Sequence, residues 1–180
     1  MKRIFDILCV DYMHLRLPNV EWKQEDSLIA LNSMPGMGPA RINKLITTGQ
    51  LCAFVQRHPD SARLYENMQQ QRQTAHEMGA QFVPEWSAYY PALLSHLEHP
   101  PPLLHALGDL DLLNHQPPAV AIVGARACTA YGREQAKLFG KSMAFAQETI
   151  ISGAARGIDM ISMQASVNAG GKVIAVLGSG

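Results

Sequence analysis

Two short stretches rich in Gly, Ser and Arg carry most of the chemistry that this sequence offers. Gly124-Ala125-Arg126 follows one apolar run, and the stretch at 152–159, Ser-Gly-Ala-Ala-Arg-Gly-Ile-Asp, follows another. Small residues let an anion approach backbone N–H groups, and an arginine can hold a phosphate through two parallel hydrogen bonds. For either loop alone, a tight turn between a strand and a helix is the simpler explanation. Two arginine-bearing loops on one sheet edge favour an anion-binding site.

The elements around these loops predict a parallel α/β sheet that would bring them together. Strands are predicted at 119–123, 149–151 and 173–177, and amphipathic helices at 133–147 and 157–168. Continuous apolar runs are typical of strands buried on both faces, and this alternation is half of a doubly wound fold. Ligands of such folds bind beyond the carboxyl ends of the strands. Because three strands with an open edge rarely form a complete domain, we expect a fragment or a truncated gene product.

The first part of the chain predicts a helical domain. A helix at 26–31, a Gly- and Pro-rich turn at 34–39 and a second helix ending near Gly49 resemble a helix-hairpin-helix. In that motif the turn and the second helix N-terminus offer N–H groups to a DNA phosphate, but a packed helical hairpin without DNA contact is an equal alternative. Further along we predict a helix at 60–79, strands at 81–83 and 103–107, a helical turn within 91–97, and a connector at 109–118.

Composition and cysteine spacing exclude several classes of protein. Of the 180 residues, 47% are hydrophobic and 17% charged, which is ordinary for a soluble globular protein. Asp6 and Asp11 interrupt any signal-peptide core, and no apolar run is long enough to span a bilayer. Three widely spaced cysteines show no metal-binding pattern and fit a reducing compartment. We therefore expect a cytoplasmic protein with no membrane partner.

The net charge of zero hides an asymmetry between the two parts of the chain. Residues 1–118 hold nine Lys or Arg against twelve Asp or Glu, whereas residues 119–180 hold six against three. The second part therefore carries a charge of +3, which permits phosphate binding. On charge alone, a chance distribution over the surface is the simpler explanation.

Patterns typical of enzymes are missing from the second part. No Gly-x-Gly-x-x-Gly follows the first strand, and no acidic residue follows the second strand where a dinucleotide ribose would be held. None of the seven histidines lies in 119–180, and Asp159 is a lone acid better suited to orient a turn than to transfer protons. We therefore predict no catalytic residue, no cofactor and no metal.

Longer motifs then identify a resemblance to a known family. They are Ala-Ile-Val-Gly-Ala-Arg at 121–126 with Tyr131-Gly132, the stretch at 152–159, Ala-Gly-Gly-Lys-Val-Ile-Ala-Val-Leu-Gly at 169–178, Tyr-Pro-Ala-Leu-Leu at 90–94, and Pro-Pro-Leu-Leu with a following Gly at 101–108. From about Leu28 onward the chain resembles the DprA/Smf family of bacterial DNA-processing proteins. Three departures are Ala125 at a Ser position, Met163 at a position where the family usually has His, and Ala165-Ser166-Val167 in place of a small-Ala-Leu pattern.

The resemblance implies an α/β protein with two domains. Residues 1–72 would form a small helical domain of the SAM or helix-hairpin-helix kind. Residues 73–180 would form a partial, extended Rossmann-like parallel sheet, incomplete at its C-terminus, with 81–83 and 103–107 as extra strands. The family implies binding of single-stranded DNA, which is protected and passed to the RecA recombinase during natural transformation. It also implies a homodimer whose interface lies beyond residue 180.

The resemblance also assigns roles to individual residues. Phosphate contacts carried over by motif position are Arg126, Ser152, Gly153, Arg156 and Lys172. Supporting loop positions are Gly124, Gly132, Gly157 and Asp159. Such binding would depend on salt and be nearly blind to sequence.

Two other interpretations remain open from the sequence. A nucleotide-binding enzyme related to LOG-like phosphoribohydrolases would share the Gly-Ser and Tyr start and the Gly-rich second loop. It would need a later Pro-Gly-Gly-x-Gly-Thr-x-x-Glu motif, which these 180 residues do not contain. A helical interaction module fused to a degenerate α/β remnant is the third interpretation.

Overall fold

The computed structural model describes residues 21–114 and 118–178. Its contacts divide the chain into two compact units, Met1–Asn114 and His115–Gly180, which we call the helical unit and the α/β unit. The predicted boundary after residue 72 lies inside a helix, Ser61–Met78. The assignment of residues 73–114 to a Rossmann-like domain therefore stays a prediction.

Four helices form the core of the helical unit. They are α1 (Gln24–Asn32), α2 (Pro39–Thr47), α3 (Leu51–Arg57) and α4 (Ser61–Met78). All five residues from Ser27 to Leu31 are buried because α2, α3 and α4 surround α1. Ile42, Val55 and Met68 supply the facing apolar side chains. The Ser27–Leu31 part of α1 therefore shows no amphipathic pattern and is stabilised by the apolar side chains packed around it.

Three of the four helices, α1, α2 and α4, were predicted from the sequence, and α3 was not. Pro39 occupies the first position of α2, and α4 ends at Gly79, which has a left-handed φ of 69°. Both positions match the usual preference for Pro at helix starts and Gly at helix ends. The helix α3 was not predicted, because its two turns bury only Leu51 and Val55 and give little periodic signal.

A hairpin completes the helical unit. Strand β1 (Ala80–Pro84) pairs antiparallel with β2 (Leu103–Leu107), and the connection contains a 3₁₀ turn, Ala92–His96. A short helix, α5 (Asp111–Asn114), follows β2.

The expectation that 81–83 and 103–107 add strands to the Rossmann-like sheet is wrong for the described residues. Their hydrogen bonds form a separate two-stranded sheet. The physical reason is apolar packing, because Leu103 is buried in the same cluster as α1 and Phe82 packs against that cluster.

The α/β unit alternates strands and helices as predicted. Its elements are β3 (Ala119–Ala121), α6 (Ala130–Phe145), β4 (Thr149–Ser152), α7 (Ile158–Asn168) and β5 (Val173–Ala175). The strands are parallel in the order β3-β4-β5. This confirms the predicted fold class, a helical region followed by a partial Rossmann-like parallel sheet. Within the described residues, no helix has both the length and the apolar character needed to cross a bilayer.

Close packing of α6 on α7 depends on Gly140. A Cβ atom at this position would lie 2.2 Å from the Ser162 carbonyl oxygen and 2.9 Å from the Ala165 Cβ. Such distances are far below van der Waals contact, so only glycine lets the two helices approach this closely. The N-termini of both helices border the site described next.

Candidate anion-binding site

The carboxyl ends of β3 and β4 are joined by a buried carboxylate. Asp159, in the first turn of α7, is 4% exposed, and its Oδ1 accepts a hydrogen bond from the Gly124 N–H at 2.9 Å. The Ile158 N–H donates to the Ala125 carbonyl oxygen at 3.3 Å. These bonds attach the start of α7 to the loop after β3. Asp159 is therefore engaged in positioning that loop.

Glycines allow these two loops to touch. Gly157 has a φ of 103°, and a Cβ there would lie 2.2 Å from the Ala125 carbonyl oxygen and 2.7 Å from that of Arg126. A Cβ on Gly124 would lie 2.7 Å from the Ile158 Cβ. Since these neighbours include rigid backbone, any larger residue would push the loops apart. The arginines on both loops are thereby held near each other.

The loop after β4 also contains a strained residue. Ala154 has a φ of 52°, in the left-handed region that costs a non-glycine residue about 1–2 kcal/mol. Strained backbone is often found in loops that bind ligands. The loop is thus held in one conformation by its neighbours rather than by its own preference.

A hollow of about 380 Å³ opens where these loops meet the two helix N-termini. Its lining consists of Arg126, Ala127, Cys128, Arg133, Arg156, Gly157, Met160 and Ile161. We call it the arginine hollow. The three arginines are exposed, and no carboxylate takes part in the lining. Three guanidinium groups on one open hollow create a positive potential that suits an anion.

The helix N-termini add to this potential. Gly157 is the N-cap of α7 and lines the hollow, while Cys128 in the lining directly precedes Thr129, the N-cap of α6. The Thr129 Oγ1 accepts a hydrogen bond from the Gly132 N–H at 3.1 Å. Helix N-termini carry partial positive charge, so both favour a bound anion.

The Arg133 side chain is the functional candidate that the sequence did not reveal. In the sequence, Arg133 is only the first residue of the helix predicted at 133–147. The neighbouring carboxylate, Glu134, accepts a hydrogen bond from Lys137 at 2.8 Å, and this bond lowers the pKa of Glu134. Glu134 is therefore engaged along the helix. The signal that could have revealed Arg133 is its place in the first turn after the loop of β3.

Ser152 and Gly153 lie at the same sheet edge but outside the lining of the hollow. Ser152 ends β4 and is 3% exposed, and its Oγ has no hydrogen-bond partner among the described residues. A buried hydroxyl without a partner costs about 1–3 kcal/mol, so it is a group that a ligand could satisfy. Gly153 is exposed, and a Cβ there would lie 3.6 Å from Asp159 Oδ2.

Lys172 is not brought together with the arginines. It directly precedes β5, and its carbonyl oxygen accepts a hydrogen bond from the Ile150 N–H. Because the strands are parallel, this position lies at the amino edge of the sheet, opposite Ser152. Met163, at the usual His position of the resembled family, is buried within α7.

This arrangement can hold an anion but offers no evident acid–base pair. Asp159 is committed to Gly124, and neither His nor carboxylate lines the arginine hollow. Among residues 21–114 and 118–178, no three His, Cys, Asp or Glu side chains cluster as a metal ion would need.

Comparisons with known proteins connect the chain to a family. A family model for DNA recombination-mediator protein A matches residues 81–180. Protein Smf of Synechocystis is 32% identical over 169 residues, covering 93% of this chain and 38% of that protein. DNA processing protein DprA of Bacillus subtilis is 38% identical over 104 residues, covering 58% of this chain and 35% of that protein.

A solved structure supports the same relationship. The X-ray structure of DprA from Streptococcus pneumoniae superposes with a TM-score of 0.62 at 28% identity, covering 87% of this chain and 58% of that chain. The chain spans little more than a third of the length of the Synechocystis and Bacillus subtilis relatives.

Proposed function

Because the chain belongs to the DprA/Smf family of DNA-processing proteins, we propose that its α/β unit binds single-stranded DNA through the phosphates. One observation carries the proposal. Three exposed arginines and two helix N-termini converge on the arginine hollow, whose lining contains no carboxylate. The hollow is open, so a chain of phosphates can cross it, and arginine forms bidentate bonds to phosphate oxygens.

The candidate residues divide into phosphate contacts and positions that support the loops. Arg126, Arg133 and Arg156 hold phosphates, and the free Ser152 hydroxyl with the exposed Gly153 backbone offers a further contact along the same sheet edge. Supporting positions keep the two loops in place, and they are Gly124, Gly132, Gly157 and Asp159. Lys172 is left out of this set because it lies at the opposite edge.

The wider role follows from the family and belongs to the same proposal. The chain would act without catalysis in the cytoplasm, protecting incoming single-stranded DNA and passing it to RecA during natural transformation. The family resemblance also implies a homodimer.

Binding of fluorescein-labelled oligo-dT, measured by fluorescence anisotropy at two salt concentrations, tests the proposal. The affinity should fall with salt, because each phosphate contact releases counterions and contributes a slope of about −0.7 in log K against log salt. Mixed-sequence oligonucleotides should bind similarly to oligo-dT. Release of free base from a nucleoside monophosphate, without oligonucleotide binding, would instead support the phosphoribohydrolase interpretation.

Alkylation of Cys128 tests whether the strand crosses the arginine hollow. Cys128 lines this hollow and is half-buried. Saturating oligo-dT should slow iodoacetamide labelling of Cys128, read by peptide mass spectrometry. Equal Cys128 rates with and without bound DNA would place the strand elsewhere.

A further inference from the structure

A second hollow lies on the helical unit and plays no part in the proposal above. It has a volume of about 520 Å³, within the range of about 300–1,000 Å³ typical of ligand sites. Its lining consists of Gln50, Ala53, Phe54, Arg57, His58 and Pro59. We call it the Phe54 hollow. Its lining combines one aromatic ring and aliphatic groups with polar and basic side chains, and no carboxylate lines it.

Two arginines lie near the Phe54 ring, because Arg57 lines the same hollow and Arg41 contacts the ring. The Arg41 Cζ lies 5.8 Å from the centre of this ring, a cation–π distance. Arg41, Lys44 and Arg57 are all exposed, and the ion pairs among the described residues involve other cations. The contact with Phe54 restrains the Arg41 guanidinium, so less entropy is lost when Arg41 binds a phosphate.

His58 provides a second ring and a directed donor. Its Nδ1 accepts a hydrogen bond from the Asp60 N–H at 3.1 Å. The neutral imidazole therefore carries its proton on Nε2, which can donate to a ligand. The His58 and Phe54 ring centres are 5.9 Å apart with the planes tilted by 44°. Two tilted rings form a wedge-shaped aromatic surface beside the arginines.

We propose that the Phe54 hollow is a second contact site for single-stranded nucleic acid. One nucleobase packs against the Phe54 and His58 rings, and the flanking phosphates bind Arg41 and Arg57. Aromatic rings interleaved with basic side chains are how proteins hold single strands without reading sequence. An acidic peptide would bind the arginines but leave the Phe54 and His58 rings without a partner, so a nucleic acid uses more of the surface.

Photo-crosslinking on the full chain tests this site. An oligo-dT carrying 4-thiothymidine is irradiated with the protein, and the crosslinked peptides are mapped by mass spectrometry. We expect crosslinks in the peptide that contains Phe54 and His58. Arg41→Ala/Arg57→Ala should remove most of that crosslink and lower the slope of log K against log salt by about 1.4, from two phosphate contacts at about 0.7 each.

A matched control separates the site from a general loss of positive charge. Lys23→Ala/Arg63→Ala removes two exposed cations from the same unit, and neither lines the Phe54 hollow. This control should keep the crosslink. All four side chains are exposed, so both double variants should fold, and their thermal unfolding by circular dichroism checks this.

Two outcomes would overturn the proposal. The first is crosslinking confined to peptides of the arginine hollow, which would leave the α/β site intact and remove this one. The second is binding of a labelled poly-Glu peptide that Arg41→Ala/Arg57→Ala abolishes, with no oligo-dT crosslink at Phe54. Crosslinks at Phe54 that persist in Arg126→Ala/Arg156→Ala would support the Phe54 hollow even if the α/β site failed.

Discussion

Removing two of the three arginines of the arginine hollow should weaken DNA binding without abolishing it. Arg126 and Arg156 stand on different loops, and Arg133 reaches the same hollow from α6. The double variant Arg126→Ala/Arg156→Ala keeps Arg133, the two helix N-termini and the Asp159 bond to Gly124. The loops themselves should therefore stay in place.

The expected loss of oligo-dT affinity depends on how exposed the two arginines are. A charge-assisted hydrogen bond is worth about 1.5–3 kcal/mol, but an exposed ion pair rarely exceeds about 1 kcal/mol. Both arginines are exposed, so each phosphate contact contributes about 1 kcal/mol and the pair about 2 kcal/mol. Since about 1.4 kcal/mol is a factor of ten, the affinity for oligo-dT should fall about 30-fold. The salt slope should fall by about 1.4 at the same time.

Fluorescence anisotropy of labelled oligo-dT across a salt series measures both quantities. Arg63→Ala/Lys141→Ala is the control, because it removes two exposed cations that line neither hollow. Screening over about 10 Å at 0.1 M salt should limit its effect to about two-fold. Equal losses in the two variants would show that only net charge matters. An unchanged slope in Arg126→Ala/Arg156→Ala would refute the phosphate contacts.

Three further changes follow from particular contacts. Lys172→Ala should change the oligo-dT affinity by less than about two-fold in the anisotropy assay, because Lys172 lies at the amino edge of the sheet. Gly140→Ala should lower the free energy of unfolding in urea by about 1–3 kcal/mol, since its Cβ would overlap the Ser162 carbonyl. Desolvation of the His105 ring, edge-on to Phe82 at 5.0 Å, lowers the pKa of His105, so the folded state favours the neutral ring. The free energy of unfolding therefore falls as pH drops below the ordinary histidine pKa of about 6.5, because the unfolded chain then binds a proton that the folded ring resists. His105→Gln should remove that part of the pH dependence, measured by urea unfolding.

Each of these changes has an outcome that would contradict it. A loss for Lys172→Ala as large as for Arg156→Ala, about five-fold, would return Lys172 to the binding surface. The control for Gly140→Ala is Ser142→Ala, an exposed position on the same helix, which should change the free energy of unfolding by less than about 0.5 kcal/mol. If Gly140→Ala changed it no more than Ser142→Ala, the close packing of α6 on α7 would be contradicted. If the wild-type chain and His105→Gln lost equal stability between about pH 7.5 and about pH 5.5, the pKa argument would be wrong.

Local signals predicted the α/β unit well because each strand and helix is marked within its own residues. Apolar runs ended by glycine predicted β3, β4 and β5, and only the ends differ. The predicted strand at 119–123 is shorter in the structure, where only Ala119–Ala121 pair with Thr149–Ile151 of β4. The length of a strand depends on what it pairs with, which the run itself does not contain.

Pairing between distant segments was the part that sequence could not supply. Both hairpin strands were predicted, but nothing local indicated that Ala80 would face Leu107 across the hairpin. Their partner choice follows from the burial of Leu103 among helical side chains. The missed helix α3 has the same cause, since it is stabilised by packing more than by its own seven residues.

Site residues were likewise predicted where the signal is local and missed where it depends on the folded structure. Arg126 and Arg156 were predicted because each follows a strand, and parallel strands bring their carboxyl ends to one edge. Lys172 came from motif position alone, which does not say on which edge of the sheet a residue lies. Arg133 was overlooked because its contribution depends on where α6 begins, and the helix starts at Ala130 instead of 133.

Several residues of the stretch at 152–159 are needed for packing between the two loops, whether or not a ligand is bound. Gly157 makes room for the carbonyls of the opposite loop, Ile158 donates to one of them, and Asp159 holds the Gly124 N–H. Only Arg156 reaches into the arginine hollow from this stretch with a charged side chain. Variants at Gly157 or Asp159 would therefore lose binding by moving the loops, whatever the ligand. The arginines are the positions at which ligand chemistry and loop geometry can be told apart.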